Sequence, residues 1–140
     1  MLKNLLFLCC ALVMFSSCGD DEKECDAGFF GDDCEQLLQD EFVGTWSGED
    51  CEGDDYTVVI QKGATPTDLI VLNDGIEIDA DINSQTMFTI PTQTIIEPFF
   101  QLEITFSGEG MKLEDGTLSF SATAQSALGG GSCTAILTKQ

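Results

Sequence analysis

From Phe42 onward the chain alternates apolar and polar residues with a period of two. Ile76-Glu77-Ile78-Asp79-Ala80-Asp81-Ile82 does so without a break, and Phe100-Gln101-Leu102-Glu103-Ile104-Thr105-Phe106 repeats the pattern with larger side chains. A period of two places alternate residues on opposite faces of an extended chain, so both segments are predicted to be strands with one buried and one solvated face. The same reading predicts strands over Phe42–Cys51, Tyr56–Gln61, Leu69–Leu72, Met87–Ile90, Thr117–Ala124 and Cys133–Thr138. Between them lie turn clusters, Asn73-Asp74-Gly75, Asp115-Gly116 and Gly129-Gly130-Gly131. Glu35 to Asp40 (EQLLQD) is predicted to form one short helical turn leading into the first strand.

Eight short strands joined by short turns, with no long amphipathic helix, define an all-β class: a small antiparallel eight-stranded barrel or sandwich over residues 41–140. Its inward-facing set is expected to include Tyr56, Val58, Ile60, Ile78, Phe88, Phe100, Leu102, Ile104, Phe106, Leu118 and Phe120. These residues either fill the interior as core or line a pocket for a small apolar ligand; short strands and bulky aromatics favour the filled core.

The first residues carry a different pattern. Lys3 is followed by the uncharged run Leu5–Phe15, eleven residues that reach only about 16 Å as a helix. A bilayer core needs roughly 30 Å. The run therefore fits the apolar region of a signal peptide over residues 1–17, with Ser16 and Ser17 as the small residues before the cut. Phe15-Ser16-Ser17-Cys18 resembles a lipobox, although leucine is usual where Phe15 stands; the resemblance implies cleavage before Cys18 and acylation of that cysteine. An ordinary secretory signal with an incidental cysteine is the alternative. Residues 18–24 then form a charged tether that buries nothing. It resembles the acidic run that directs lipoproteins of the Bacteroidetes to the outer leaflet, and it also reads as a plain spacer.

Charge narrows the partners. The chain carries 25 carboxylates against five lysines, no histidine and no arginine, for a formal charge of −20. Such a surface repels phosphate backbones, so nucleic acid is excluded as a partner, while a protein or glycan partner remains compatible. Attachment to a membrane falls to the N-terminal lipid, and the chain is expected to act as a monomer. Histidine-based catalysis and arginine clamps are ruled out by composition. A carboxylate pair such as Glu77 and Asp79, or Asp79 and Asp81, has the spacing a glycoside hydrolase needs, but both pairs fall on the polar face of their strand. The loop holding Glu49, Asp50, Glu52, Asp54 and Asp55 gathers five carboxylates in seven residues. It reads as a hydrated acidic loop or as a weak calcium site without EF-hand spacing; no other cofactor is expected.

Four further cysteines allow three pairings. Cys25-Asp26-Ala27-Gly28-Phe29-Phe30-Gly31-Asp32-Asp33-Cys34 fits C-x-x-G-[FY]-x-G-x-x-C and resembles the last loop of an EGF-like module, with the other four cysteines of such a module missing. Residues 25–40 are thus expected to form a disulfide-closed loop and linker, with Gly28 and Gly31 in tight turns of positive φ. Cys51 ends the first predicted strand and Cys133 begins the last, strands that become neighbours when a barrel closes. The pairing expected is Cys25–Cys34 and Cys51–Cys133, oxidised in an exported protein.

Gly44-Thr45-Trp46 on the first strand resembles the G-x-W of lipocalins, whose tryptophan plugs the closed end of the barrel. The chain as a whole is similar to small lipocalin-like lipoproteins of the Bacteroidetes, in which a cysteine loop precedes F-x-G-T-W and the chain ends near C-T-A-x-L-T-K; the counterparts are Phe42–Trp46 and Cys133–Lys139. Lipocalins place an arginine over the tryptophan. This chain has none, and Lys139 is the available substitute. The resemblance implies an outer-membrane, cell-surface lipoprotein with no established activity. The expectation is therefore a non-enzymatic binding or structural role, with a carrier of a small apolar ligand as the alternative and a carboxylate hydrolase as a distant third.

Overall fold

The computed structural model describes residues 24–140. The predicted signal peptide, the lipidation at Cys18 and the tether as far as residue 23 lie outside the described residues. Two short strands, β1 (Phe29–Phe30) and β2 (Gln36–Leu37), pair antiparallel and are followed by a single helical turn, α1 (Gln39–Phe42). The helical turn expected over Glu35–Asp40 is thus displaced toward the barrel. Gln36 and Leu37 are drawn into pairing with β1, and Phe42, expected to open the first strand, closes the helix instead.

Eight antiparallel strands then close a barrel: β3 (Gly44–Glu49), β4 (Asp55–Lys62), β5 (Asp68–Asn73), β6 (Ile76–Ser84), β7 (Met87–Glu97), β8 (Leu102–Lys112), β9 (Leu118–Ser126) and β10 (Gly129–Lys139). They are neighbours in sequence order, and β10 returns to pair with β3 through Ile136↔Glu49 to Lys139↔Trp46, which leaves no open edge to the sheet. Of the eight-stranded barrel or sandwich expected from periodicity, the barrel is the fold observed.

Most strands run longer than periodicity predicts, β7, β8 and β10 by several residues, and the extensions of β7 and β10 have local causes. Pro91 lacks an N–H, and the β6–β7 ladder stops at Asp81↔Thr89. Beyond it β7 shifts register and continues on β8 as far as Glu97↔Leu102, so the strand predicted to end at Ile90 runs on to Glu97. Where that ladder is interrupted, the Gln93 side chain takes its place: Nε2 donates to the Asp79 carbonyl at 2.8 Å, and Oε1 accepts the Asp79 N–H at 3.1 Å. Gly129–Gly131, read from sequence as a turn, pairs with Ser126–Ala124 on β9, and the hairpin turns at Ala127 and Leu128 instead. Phe100 is not an inward strand residue either. It sits at the tip of the β7–β8 hairpin with Phe99, 87% and 85% exposed, and β8 begins two residues later.

Antiparallel order assigns each loop to one end. The β4–β5, β6–β7 and β8–β9 loops, α1 and the C-terminus share one end, here the plugged end; the β3–β4, β5–β6, β7–β8 and β9–β10 loops share the other, the mouth. The N-terminal knob packs on the plugged end. Cys25 and Cys34 are bonded, Gly28 and Gly31 hold φ of 88° and 89°, and Gly28 lies against Pro66 of the β4–β5 loop, so close that an added Cβ would meet Pro66 Cβ at 2.5 Å. Among the described residues no helix is long and apolar enough to cross a membrane.

Candidate functional site

The interior changes character along the barrel axis. At the plugged end Phe42, Trp46, Val58, Ile60, Leu69, Val71, Phe88, Ile90, Leu118 and Leu137 are each no more than 1% exposed. The G-x-W segment builds this plug. Trp46 Nε1 donates to the Phe42 carbonyl at 2.7 Å, tying the end of the helical turn to β3. Lys139 on β10 crosses over the tryptophan, its Nζ 5.5 Å from the ring centroid, close enough for a cation–π attraction. Gly44 makes that crossing possible: its φ is +144°, and a Cβ there would stand 2.7 Å from Lys139 Cε. Gly110 does the same for the core, since a Cβ would strike the Phe88 ring at 2.2 Å.

Gln39 is a feature of the plug that pattern reading missed. It is 4% exposed, and its Nε2 donates to the carbonyls of Thr65 and Asp68, both at 2.7 Å, which satisfies two loop acceptors at once. A glutamine in a polar stretch gives no signal of burial in the sequence. The signal lies in tertiary contact alone.

From the plug an aromatic column climbs toward the mouth. Phe42 meets Phe88 edge-on at 5.3 Å, Phe88 lies 6.4 Å from Phe120, and Phe120 lies 6.3 Å from Tyr56. Above Phe120 the inward positions of β9 and β10 turn small: Ala122, Ala124, Gly131 and Ala135. With Tyr56, the Cys51–Cys133 disulfide, Asp50 and Glu52 they line a cavity of about 350 Å³. The filled core expected from short strands and bulky aromatics therefore describes one end of the barrel, and a hollow occupies the other.

The predicted inward residues divide accordingly. Val58, Ile60, Ile78, Phe88, Phe106, Leu118 and Phe120 are buried in the core. Tyr56 packs against that core and lines the cavity, Leu102 and Ile104 are half-buried toward the mouth, and Phe100 is on the outside. Cys51 lies in the turn after β3 and is bonded to Cys133 across a sequence separation of 82, so the expected pairing is the one found. That bond fastens the β3–β4 loop to β10 beside the cavity.

Charge separates the two ends as well. Lys62 pairs with Asp40 at 2.6 Å, Lys112 pairs with Glu41, and Lys139 lies over Trp46; these three lysines all stand at the plugged end. Among the described residues the mouth carries no basic side chain, while its loops hold Glu49, Asp50, Glu52, Asp54, Asp55, Asp74 and Glu97. The Asp50 carboxylate organises the β3–β4 turn: its Oδ1 accepts the N–H groups of Glu52 at 2.9 Å and Asp54 at 3.0 Å, and these backbone bonds hold its pKa below the ordinary value. Tyr56 feels the resulting field. Burial, reinforced by the charges of Asp74 and Asp50, pushes its phenol up to about 12. Its hydroxyl accepts a bond from Asn73 Nδ2 at 3.1 Å, which leaves Asn73 Oδ1 buried without a partner.

The calcium site considered for Glu49, Asp50, Glu52, Asp54 and Asp55 is not assembled. Among the described residues no three acidic, cysteine or histidine side chains converge on one point, and Asp50 spends its Oδ1 on the turn. Glu77, Asp79 and Asp81 lie exposed along the outer face of β6, away from the cavity.

Fold and site together define a closed antiparallel barrel, plugged at one end and hollow with an acidic rim at the other. No protein-family model, curated protein or solved structure matches the chain.

Proposed function

We propose that this chain is a membrane-anchored, cell-surface lipoprotein whose lipocalin-like barrel is a non-catalytic binding module working through its mouth. The observation that carries the reading is the polarity of the barrel. The knob that leads back to Cys18 sits on the plugged end, whereas the cavity and the exposed apolar tips Phe99, Phe100 and Leu128 are at the opposite end. Five residues separate Cys18 from Glu24, and the six Cα steps span at most about 21 Å, so lipidation there would hold the plugged end toward the bilayer and turn the mouth away from it. Trp46 under Lys139 supports the lipocalin-like label, with lysine in the arginine's place. The cavity favours the carrier reading over a purely structural one, because a module made only for display has no use for a hollow.

Metabolic labelling with a fatty-acid probe, combined with protease shaving of intact cells, tests the reading. The expected result is label on the wild-type chain, none on Cys18→Ala, and loss of the barrel to external protease only when Cys18 is present. A Cys18→Ala chain that still fractionates with membranes contradicts it.

A further inference from the structure

The cavity at the mouth joins two chemistries that rarely meet in a filled barrel. Its floor and walls are apolar, formed by Phe120, Ala122, Ala124 and Ala135, and its rim holds Asp50 and Glu52 from the β3–β4 loop. Tyr56 links the two, its ring beside Phe120 at 6.3 Å and its hydroxyl held by Asn73. No lysine among the described residues stands at this end to neutralise the carboxylates.

Building on the binding-module reading, we propose that the mouth cavity takes a small amphiphile bearing a positive ammonium group, with its apolar end on Phe120, Ala122 and Ala124 and its cation between Tyr56, Asp50 and Glu52. Each part of such a molecule finds a partner. An apolar cavity of 150 Å³ holds a benzene ring, so about 350 Å³ accommodates a ligand of roughly 10 to 15 non-hydrogen atoms. An ammonium near a tyrosine face and two carboxylates gains both cation–π and Coulombic attraction. Burial is the main cause of the raised Tyr56 phenol, and the charges of Asp74 on the β5–β6 loop and of Asp50 add to it; those same two charges would attract the cation. A carboxylate-bearing amphiphile of equal size would meet that field with the wrong sign. The backbone bonds from Asp54 and Glu52 hold the Asp50 pKa below its ordinary value and so favour the charged carboxylate.

The Cys18→Ala chain, free of lipid, allows the test with three probes of one shape: phenylbutylammonium, phenylbutanol and phenylbutanoate. The chain has a single tyrosine at the mouth and a single tryptophan in the plug, so ring resonances of Tyr56 report binding while the Trp46 indole reports the fold. The expected result is saturable one-to-one binding of the ammonium that moves Tyr56 and not Trp46. The alcohol should bind about tenfold more weakly and the carboxylate more weakly still. Asp50→Asn keeps the Oδ1 that accepts the turn hydrogen bonds. Combined with Glu52→Gln and Asp74→Asn it should bring the ammonium down to the level of the alcohol, with the Trp46 resonance unchanged. Equal binding of ammonium and alcohol by the wild-type chain, or a preference that survives the triple variant, overturns the charge selection while leaving a binding cavity in place. If none of the three probes moves Tyr56, the cavity is not a binding site for amphiphiles of this size and the binding-module reading fails with it.

Discussion

The two ends of this barrel are made from the same strands, yet they solve opposite problems. At the plugged end large residues from facing strands meet on the axis, a glutamine satisfies the loop carbonyls, and the three described lysines are each engaged by a carboxylate or a ring. At the mouth the inward positions of β9 and β10 shrink to alanine and glycine, the charged side chains of the described rim are all acidic, and a disulfide, rather than packing, ties the first loop to the last strand. Apolar packing is thus concentrated at one end, and the other is the end we propose for recognition. A binding surface can stay hollow and charged only if the rest of the fold does not depend on it.

The largest effect expected from this division concerns the two disulfides. In the chain-entropy description a bond spanning 82 residues stabilises by about 4.5 kcal/mol, and one spanning 9 residues by about 2.5 kcal/mol. Cys51→Ala with Cys133→Ala should therefore lower the urea midpoint much further than Cys25→Ala with Cys34→Ala. Equal losses would mean that the mouth is held by packing after all.

Substitutions in the plug come next. Trp46→Phe removes the donor to the buried Phe42 carbonyl, and an orphaned buried acceptor costs about 1–3 kcal/mol. Lys139→Met keeps the stem over the ring but loses the cation, a change of roughly 0.5–1 kcal/mol. Chemical denaturation of both variants should rank them in that order, and a larger loss for Lys139→Met would move the weight of the plug from the tryptophan to the lysine.

The last effect is a pH dependence that belongs to the mouth and is felt only in alkali. The Tyr56 phenol is raised from 10.0 to about 12, so on alkaline titration the unfolded chain loses its proton first. Between those values the folded state binds more protons than the unfolded one, and stability falls as pH rises from 10 toward 12. Near-ultraviolet absorbance follows this directly because the chain has one tyrosine. Asp74→Asn should lower the midpoint, and a phenol titrating at its ordinary value would remove Tyr56 from the acidic field of the rim.

Much of the barrel was legible in the sequence because its signal is local. The unbroken alternation of Ile76–Ile82 reports a strand with one buried face whatever lies opposite, and eight predicted strands indicate a barrel or sandwich, with two cysteines near the first and last placed to meet if it closes. Boundaries were less legible. Phe100 read as strand because it opens an alternating stretch, yet with Phe99 it forms a hairpin tip, whereas Gly129–Gly131 read as a turn and is strand. Glycine signals permission for a turn, and the register of β9 against β10 decides whether the permission is used. Lys139 over Trp46 was anticipated from the missing arginine. The cavity was anticipated only as the alternative to a filled core and not at this place, because emptiness belongs to no single residue: Ala122 and Ala124 are ordinary strand residues until Gly131 and Ala135 are placed beside them. The same holds for charge, since lysines scattered along the chain reveal their segregation only when alternate loops are sorted to opposite ends.

The difference between a filled and a hollow end is tested most directly by enlarging one alanine at each. Ala80, 2% exposed, packs in the core beside Leu69, and Ala124 faces the cavity. Urea denaturation of Ala80→Leu and Ala124→Leu compares them. Overpacking a filled core costs about 1–3 kcal/mol, so Ala80→Leu should be destabilised by that amount, while Ala124→Leu, which places apolar surface into the hollow, should be unchanged or more stable than the wild type. Equal destabilisation of the two variants would contradict the account, because it would mean that the mouth is packed as tightly as the plug.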